Sequence, residues 1–375
     1  MKLLKFASLS LFSAALLVGC QSKPAQHTQV KKVSNRASNA EVAKSAYDFK
    51  DSDIRVPSYF DTQGLERCNF DVNNENEGCP LKKPIVRMYF DVARVGGEGE
   101  GVNALSAFDD QRLLMMLENQ FAGINRFRII TRDDETVAQE QQIYLEQQGA
   151  SELAKRVGQH SVLKPDFIVK LDSMRTVKTE GSITSWMDYT LELTSAVINP
   201  YTREKLSHPN LGKIRVKSED IRERSELKFV KANNRYVSGY RYFDEAHVNA
   251  VVNDMASRGI DILLTRMLTE MPATTQVLGI KGNQISLDRG QNAGVLPNET
   301  MIVFSYEAGF IEPIGVAHVT PSANSAIGEI TRWKSGDLAG NIQKTAKKGI
   351  YRPASGMKIF AVSVGTPNGF LEKRT

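Results

Sequence analysis

The apolar positions of this chain fall into two regimes that meet near Pro272. Upstream, short β-type runs alternate with stretches of helical period; downstream, only short β-type runs and turn residues recur. In the first regime residues 84–90, 127–130, 165–171 and 189–198 are rich in β-branched and aromatic residues and predict strands. Leu113, Leu117 and Phe121, flanked by Leu114 and Met115, recur at helical spacing behind a Ser106 or Asp109 cap. Residues 135–157 are helical in composition, interrupted near Gly149, with Ser151 capping the second half. Pro200-Tyr201-Thr202-Arg203 is a turn, after which 205–207 re-enters the sheet. Over 245–271, Val248, Val252, Met255, Ile260, Leu263, Leu264, Met267 and Leu268 give one long helix a broad apolar face. Strands and helices in this mixed order predict, over 84–272, an α/β (α+β) layer domain with one mixed sheet and packed helices.

The second regime, 273–335, opens with two short strands joined by Gly282-Asn283, a hairpin signal. Residues 301–306, 314–319 and 325–331 are further short strands, and no helical period intervenes. This predicts a small all-β, barrel-like module. Residues 336–375 are only weakly patterned and read as a C-terminal tail.

The front of the chain changes the picture. A basic start, Lys2 and Lys5, precedes an apolar run from Phe6 to Val18 that ends in Leu17-Val18-Gly19-Cys20. That is a secretory signal peptide over 1–19, too short to span a bilayer as a helix. Leu-Val-Gly-Cys resembles the bacterial lipobox, which implies that Cys20 is lipidated and becomes the first mature residue. Gln21 stands where lipoproteins retained at the inner membrane carry Asp, so the resemblance implies the outer membrane, periplasmic face. Residues 20–60, rich in Ser, Asn, Gln and Lys, then read as a lipidated flexible tether.

Net charge falls from +5 to +3 once Lys2 and Lys5 leave, too little to argue for nucleic acid. With Cys20 set aside, Cys68 and Cys79 are an even pair in an oxidising compartment. Their spacing is not Cys-x-x-Cys and no His lies near, so they predict a disulfide clipping an entry segment over 61–83. Closing so short a loop stabilises by roughly 3 kcal/mol in the chain-entropy model.

No catalytic constellation emerges. The Gly96–Gly101 run lacks Gly-Lys-Ser/Thr, and Glu98 and Glu100 would repel a phosphate, so it reads as a connection. The five histidines, His27, His160, His208, His247 and His318, share no metal-pair spacing. Asp133-Asp134-Glu135 sits where a helix begins, which capping explains. These readings predict no enzyme, metal or cofactor. Residues 203–241 hold eleven Lys/Arg against five Asp/Glu. The insertion at about 208–243 is either a solvated basic face or a partner surface. The second alternative rests on Lys213, Arg215, Lys217, Arg222, Arg224, Lys228 and Lys231, with Tyr236 and Tyr240 beside them.

The order of these pieces resembles the curli secretion lipoprotein (CsgG) family. The lipobox Cys20 precedes a tether, and the strand over 85–90 leads through a loop into a helix. Asn125-Arg126-Phe127-Arg128-Ile129-Ile130-Thr131-Arg132-Asp133 is similar to a family strand, as are Lys164-Pro165-Asp166-Phe167-Ile168-Val169 and Asn199-Pro200-Tyr201-Thr202-Arg203-Glu204. Arg203 stands where the family has Gly. The module after Thr274, with Gly282-Asn283-Gln284-Ile285-Ser286-Leu287 and Ala293-Gly294-Val295, resembles the C-terminal module of the flagellar assembly protein FlgT. The family's channels insert two long β-hairpins per subunit, whereas only a short connection fits between Val169 and Leu191. The resemblance therefore implies a non-enzymatic, oligomeric scaffold in an envelope machine, a flagellar ring or secretion apparatus. Its alternatives are a curli-type channel subunit and an activator of a peptidoglycan synthase. The implied partners are the outer membrane, reached through the lipid anchor, envelope-complex proteins and further copies of the chain.

Overall fold

The structure is a computed structural model that describes residues 43–58, 60–68, 79–94, 110–131, 165–180, 187–205, 213–217, 231–232, 235–236, 245–354, 356–367 and 370. The first unit is a five-stranded mixed sheet of order β2-β1-β3-β4-β5. Its strands are β1 (Ile85–Arg94), β2 (Arg128–Ile130), β3 (Phe167–Glu180), β4 (Met187–Ile198) and β5 (Lys213–Lys217). β1 pairs in parallel with β2 and β3, while β3–β4 and β4–β5 are antiparallel. Helices α1 (Asp110–Ala122) and α2 (Glu245–Glu270) cover one face. Val86 and Met88 of β1, Val169 and Leu171 of β3, and Leu191 and Leu193 of β4 point to that face. There they meet Leu113, Leu117 and Phe121 of α1 and Leu263, Leu264 and Met267 of α2. The period-2 strands and the period-3.6 helices thus bury one shared core, as their patterns predict.

The β3–β4 hairpin is longer than its apolar pattern indicates. Pairing continues to Glu180 and Met187, leaving 181–186 as the connection. Beyond Met174 the β3 sequence carries no apolar alternation, although its pairing with β4 continues. Asp172 is an extra residue between the Leu171–Ser195 and Ser173–Thr194 pairs, a bulge that bends the hairpin. Past β4, the predicted re-entry at 205–207 shrinks to one bridge, Lys205 to Ile198. The turn before it is built by Asn199, whose Oδ1 accepts the N–H groups of Tyr201 (2.9 Å) and Thr202 (3.2 Å). Arg203 there holds a left-handed φ of 61°. Arg203→Gly is therefore expected to stabilise the fold by about 0.5–1 kcal/mol, read as a raised urea midpoint. The predicted helix over 135–157, the loop over 96–101 and most of the basic insertion lie outside the described residues.

The second unit is a closed six-stranded antiparallel barrel. Its strands are β8 (Thr274–Lys281), β9 (Gln284–Leu287), β10 (Glu299–Glu307), β11 (Phe310–Pro321), β12 (Ala326–Trp333) and β14 (Lys358–Ser363). The order β8-β14-β10-β11-β12-β9 closes through β8–β9, and β13 (Ile350–Tyr351) adds to β8 outside the ring. The remaining two-stranded piece, β6 (Lys231–Ala232) with β7 (Arg235–Tyr236), stands apart within the insertion. The β8–β9 turn has Gly282 at its first central position with φ 60°, which fits the II′ geometry of tight hairpins. The presumed tail belongs to the barrel. Helix α3 (Asp337–Lys348) closes one end with Ala339, Ile342 and Ala346, and β14 is an internal stave. Their signal was a small-residue stripe and a single apolar run, too brief to separate from a loop.

A strap formed by residues 43–58, 60–68 and 79–82 crosses the outside of this barrel. Met301 and Val303 of β10 face the interior, while Ile302, Phe304 and Tyr306 face outward beside Phe360 and Val362 of β14. Phe49, Ile54, Phe60, Leu65 and the Cys68–Cys79 disulfide cover them. β10 is buried on both sides, which explains its unbroken apolar run. The flexible tether expected through residue 60 is therefore packed from Ala43 onward. Composition misled because the strap spaces a few large apolar anchors between polar residues, and its described residues form short 3-10 segments at Ala46–Asp48, Asp51–Asp53 and Gln63–Arg67. Among the described residues no helix is long and apolar enough to cross a membrane.

Polar pins hold the strap's edges. Asp51 accepts from Lys334 Nζ (3.0 Å) and from the Ser335 N–H (2.6 Å). Thr331 Oγ1 donates to the Ala46 carbonyl (2.7 Å), and Tyr306 donates to Glu66 (2.9 Å). Lys44 Nζ sits 2.7 Å from Asp53, and with the Lys50 N–H it lowers that carboxyl from 3.8 to about 2. A lowered native value means that the ionised form favours the fold. Its contribution is complete above 3.8 and is lost as pH falls through about 2. A carbon-detected NMR titration of Asp53 is expected to give a midpoint near 2, moving toward 3.8 in Lys44→Gln.

Candidate functional site

The two units meet at a buried polar joint. Asn125 and Arg126 lie between α1 and β2; Asn125 takes a left-handed φ of 56°, which turns Arg126 toward the barrel. Arg126 donates from Nε to the Gly294 carbonyl (2.7 Å), from Nη1 to the Met271 carbonyl (3.3 Å) and from Nη2 to Glu299 (2.8 Å). Glu299 Oε1 also accepts from Ser363 Oγ (2.6 Å), and Oε2 from the Leu296 N–H (2.8 Å). Arg126 is 2% exposed and Glu299 0%, so both charges have left water and depend on these partners. Gly294, at φ 79°, lets Arg126 approach: a Cβ there would stand 2.5 Å from the Arg126 Cα. Asn125 Nδ2 adds a bond to the Gln291 carbonyl (3.2 Å). This joint binds the two units together and exposes no reactive group.

Beside the joint, strap, sheet and helix end enclose a cleft of about 620 Å³. Phe60, Asp61, Cys79 and Pro80 come from the strap, and Lys82 and Pro84 lead from it into β1. Asp166 and Phe167 open β3, Asn199 and Tyr201 form the turn after β4, and Glu270 and Met271 end α2. Topology thus gathers four distant sequence segments at one end of the sheet. Asp61 Oδ1 accepts the Gly64 N–H (3.0 Å) and Asp166 Oδ2 accepts the Ile85 N–H (2.8 Å). Lys82 Nζ lies 3.5 Å from Asp166 Oδ1. Tyr201 is 61% exposed at the mouth.

The residues singled out from sequence have other positions. Cys20 lies outside the described residues, as do Arg222, Arg224, Lys228 and Tyr240. Lys213, Arg215 and Lys217 alternate along β5 with buried Ile214 and Val216 and face away from the helices. Lys213 (3.2 Å) and Arg215 (2.6 Å) both pair with Glu192 of β4. Burial raises the Glu192 carboxyl, but hydrogen bonds from both cations outweigh it and the net shift is downward. Part of the basic face is therefore spent within the sheet. Lys231 and Tyr236 are register partners in β6–β7. Cys68 and Cys79 form the predicted disulfide, with Cα atoms 4.8 Å apart.

Among the described residues no group of three His, Cys, Asp or Glu side chains could hold a metal ion. His318 lies against Tyr47 in a tilted ring pair, centroids 5.6 Å apart, on the barrel surface. Sequence reasoning missed the cleft because its residues are single side chains at element ends, where neither periodicity nor motif spacing marks them. Asn199-Pro200-Tyr201 was the one local signal, read as a turn. Compared with protein-family models and with curated proteins, the chain matches none of either.

Proposed function

We propose that this chain is an outer-membrane lipoprotein, anchored through Cys20 on the periplasmic face. There it serves as a non-enzymatic, oligomeric scaffold in a cell-envelope machine, a flagellar ring or secretion apparatus. The lipobox-like front motivates the anchor. The observation that carries the scaffold reading is the way the chain welds itself into one body. The strap leads from the N-terminal side across the barrel, the disulfide clips it, and Arg126 with Glu299 bolts the barrel to the sheet domain. Such a body transmits position rather than changing shape, which suits a platform that holds partners at a fixed distance from a bilayer. The basic insertion and the barrel surface are its contact regions.

The anchor is tested by metabolic labelling with a radioactive fatty acid and by membrane fractionation. The chain is expected to take up label and sediment with outer membranes. Cys20→Ala is expected to lose the label and the sedimentation. An unacylated N-terminus or a cytosolic protein overturns the reading. Within the same experiment, deletion of the gene should remove one envelope structure while leaving the others assembled.

A further inference from the structure

We infer that the cleft beside the joint is a binding site for a basic peptide segment, one that presents Lys or Arg next to an apolar or aromatic side chain. Its volume, about 620 Å³, falls in the range of pockets that enclose a small ligand. Its walls are of two kinds. Phe60, Phe167 and Tyr201 supply aromatic surface, and Pro80, Pro84 and Pro272 supply rigid apolar backbone without N–H donors. Recognition therefore falls to the side chains between them.

Those side chains are mostly acidic. Among the described residues Asp61, Asp166 and Glu270 border the space with one cation, Lys82, which is paired with Asp166. An anionic ligand would meet an excess of carboxylate over cation along these walls. An ammonium or guanidinium group on an aliphatic stem fits both kinds of wall, with its charge beside carboxylates and aromatic faces and its stem against proline and methionine. The carboxylates are also set in advance. The Gly64 N–H holds Asp61 and the Ile85 N–H holds Asp166, so little side-chain freedom is left to lose on binding. Charge complementarity thus selects the occupant, and it does so independently of where the chain resides.

The test uses the purified full chain in detergent and a fluorescein-labelled peptide, Gly-Lys-Phe-Val-Lys-Gly, read by anisotropy. Saturable binding is expected, weakened by added salt and absent for the same peptide with Glu in place of both Lys. Asp61→Asn keeps the oxygen that caps the Gly64 N–H and removes only the charge. Tyr201→Ala alters an exposed ring. Each is expected to weaken binding several-fold while leaving the melting temperature in place. Equal binding of the Glu peptide, no saturable binding of the Lys peptide, or full binding by both variants overturns the inference. Lys213→Gln on β5 serves as a second control: a loss there, with none at Asp61, moves the site to the sheet face and likewise overturns it.

Discussion

Arg126→Met is expected to cost the folded state about 3–5 kcal/mol, among the largest effects of any single substitution in this chain. The loss is not the attraction of one ion pair. It is the stranding of Glu299, 0% exposed, with a charge that only the Ser363 hydroxyl and the Leu296 N–H would still meet. The same change leaves the Gly294 and Met271 carbonyls without their donor. Urea unfolding of Arg126→Met, Glu299→Met and the double variant measures this directly. Because each single change strands the other partner, the double variant should lose much less than the two losses combined. Additive losses would mean that the two side chains act independently, and the joint would not be the coupled unit described.

Phe304→Ala should cost a comparable amount, about 3–5 kcal/mol, through lost burial and the cavity left behind. Phe304 is 0% exposed and touches both layers of the outer core. Its ring centroid lies 5.9 Å from that of Phe60 on the strap and 6.0 Å from that of Phe360 on β14. The damage should be directional. The strap loses a central contact, whereas the barrel interior around Met301 and Val303 keeps its own. Limited proteolysis of Phe304→Ala should therefore cut within 43–67 at protease levels that leave the wild type whole. A variant cleaved first inside the barrel would contradict the layered arrangement.

The parts of the fold that were legible in sequence are those with a periodic core face. β1, α1, β4 and α2 stand close to where their apolar spacing puts them, and Gly282-Asn283 marked its hairpin. The failures share one physical cause. Where burial is two-sided, sparse or absent, periodicity carries no message. The strap has four large anchors, Phe49, Ile54, Phe60 and Leu65, without regular spacing, so it read as tether. The distal part of β3 pairs with β4 without an apolar alternation of its own. α3 and β14 are short and wait on distant partners. Arg126 looked like part of a strand motif, and nothing in its neighbourhood announced a partner 173 residues away. The cleft was invisible for the same reason, since each of its walls is set by a different long-range contact.

The strap's docking on β14 imposes an order of events on biosynthesis. Phe49, Ile54 and Phe60 are among the first parts of the body to be made, yet Phe360 and Val362, which cover them, are among the last. Ala43 donates its N–H to the carbonyl of Thr366, so even the two ends of the body meet (2.7 Å). A ribosome-bound chain thus cannot mature from front to back; its earliest apolar residues stay uncovered until translation is nearly over.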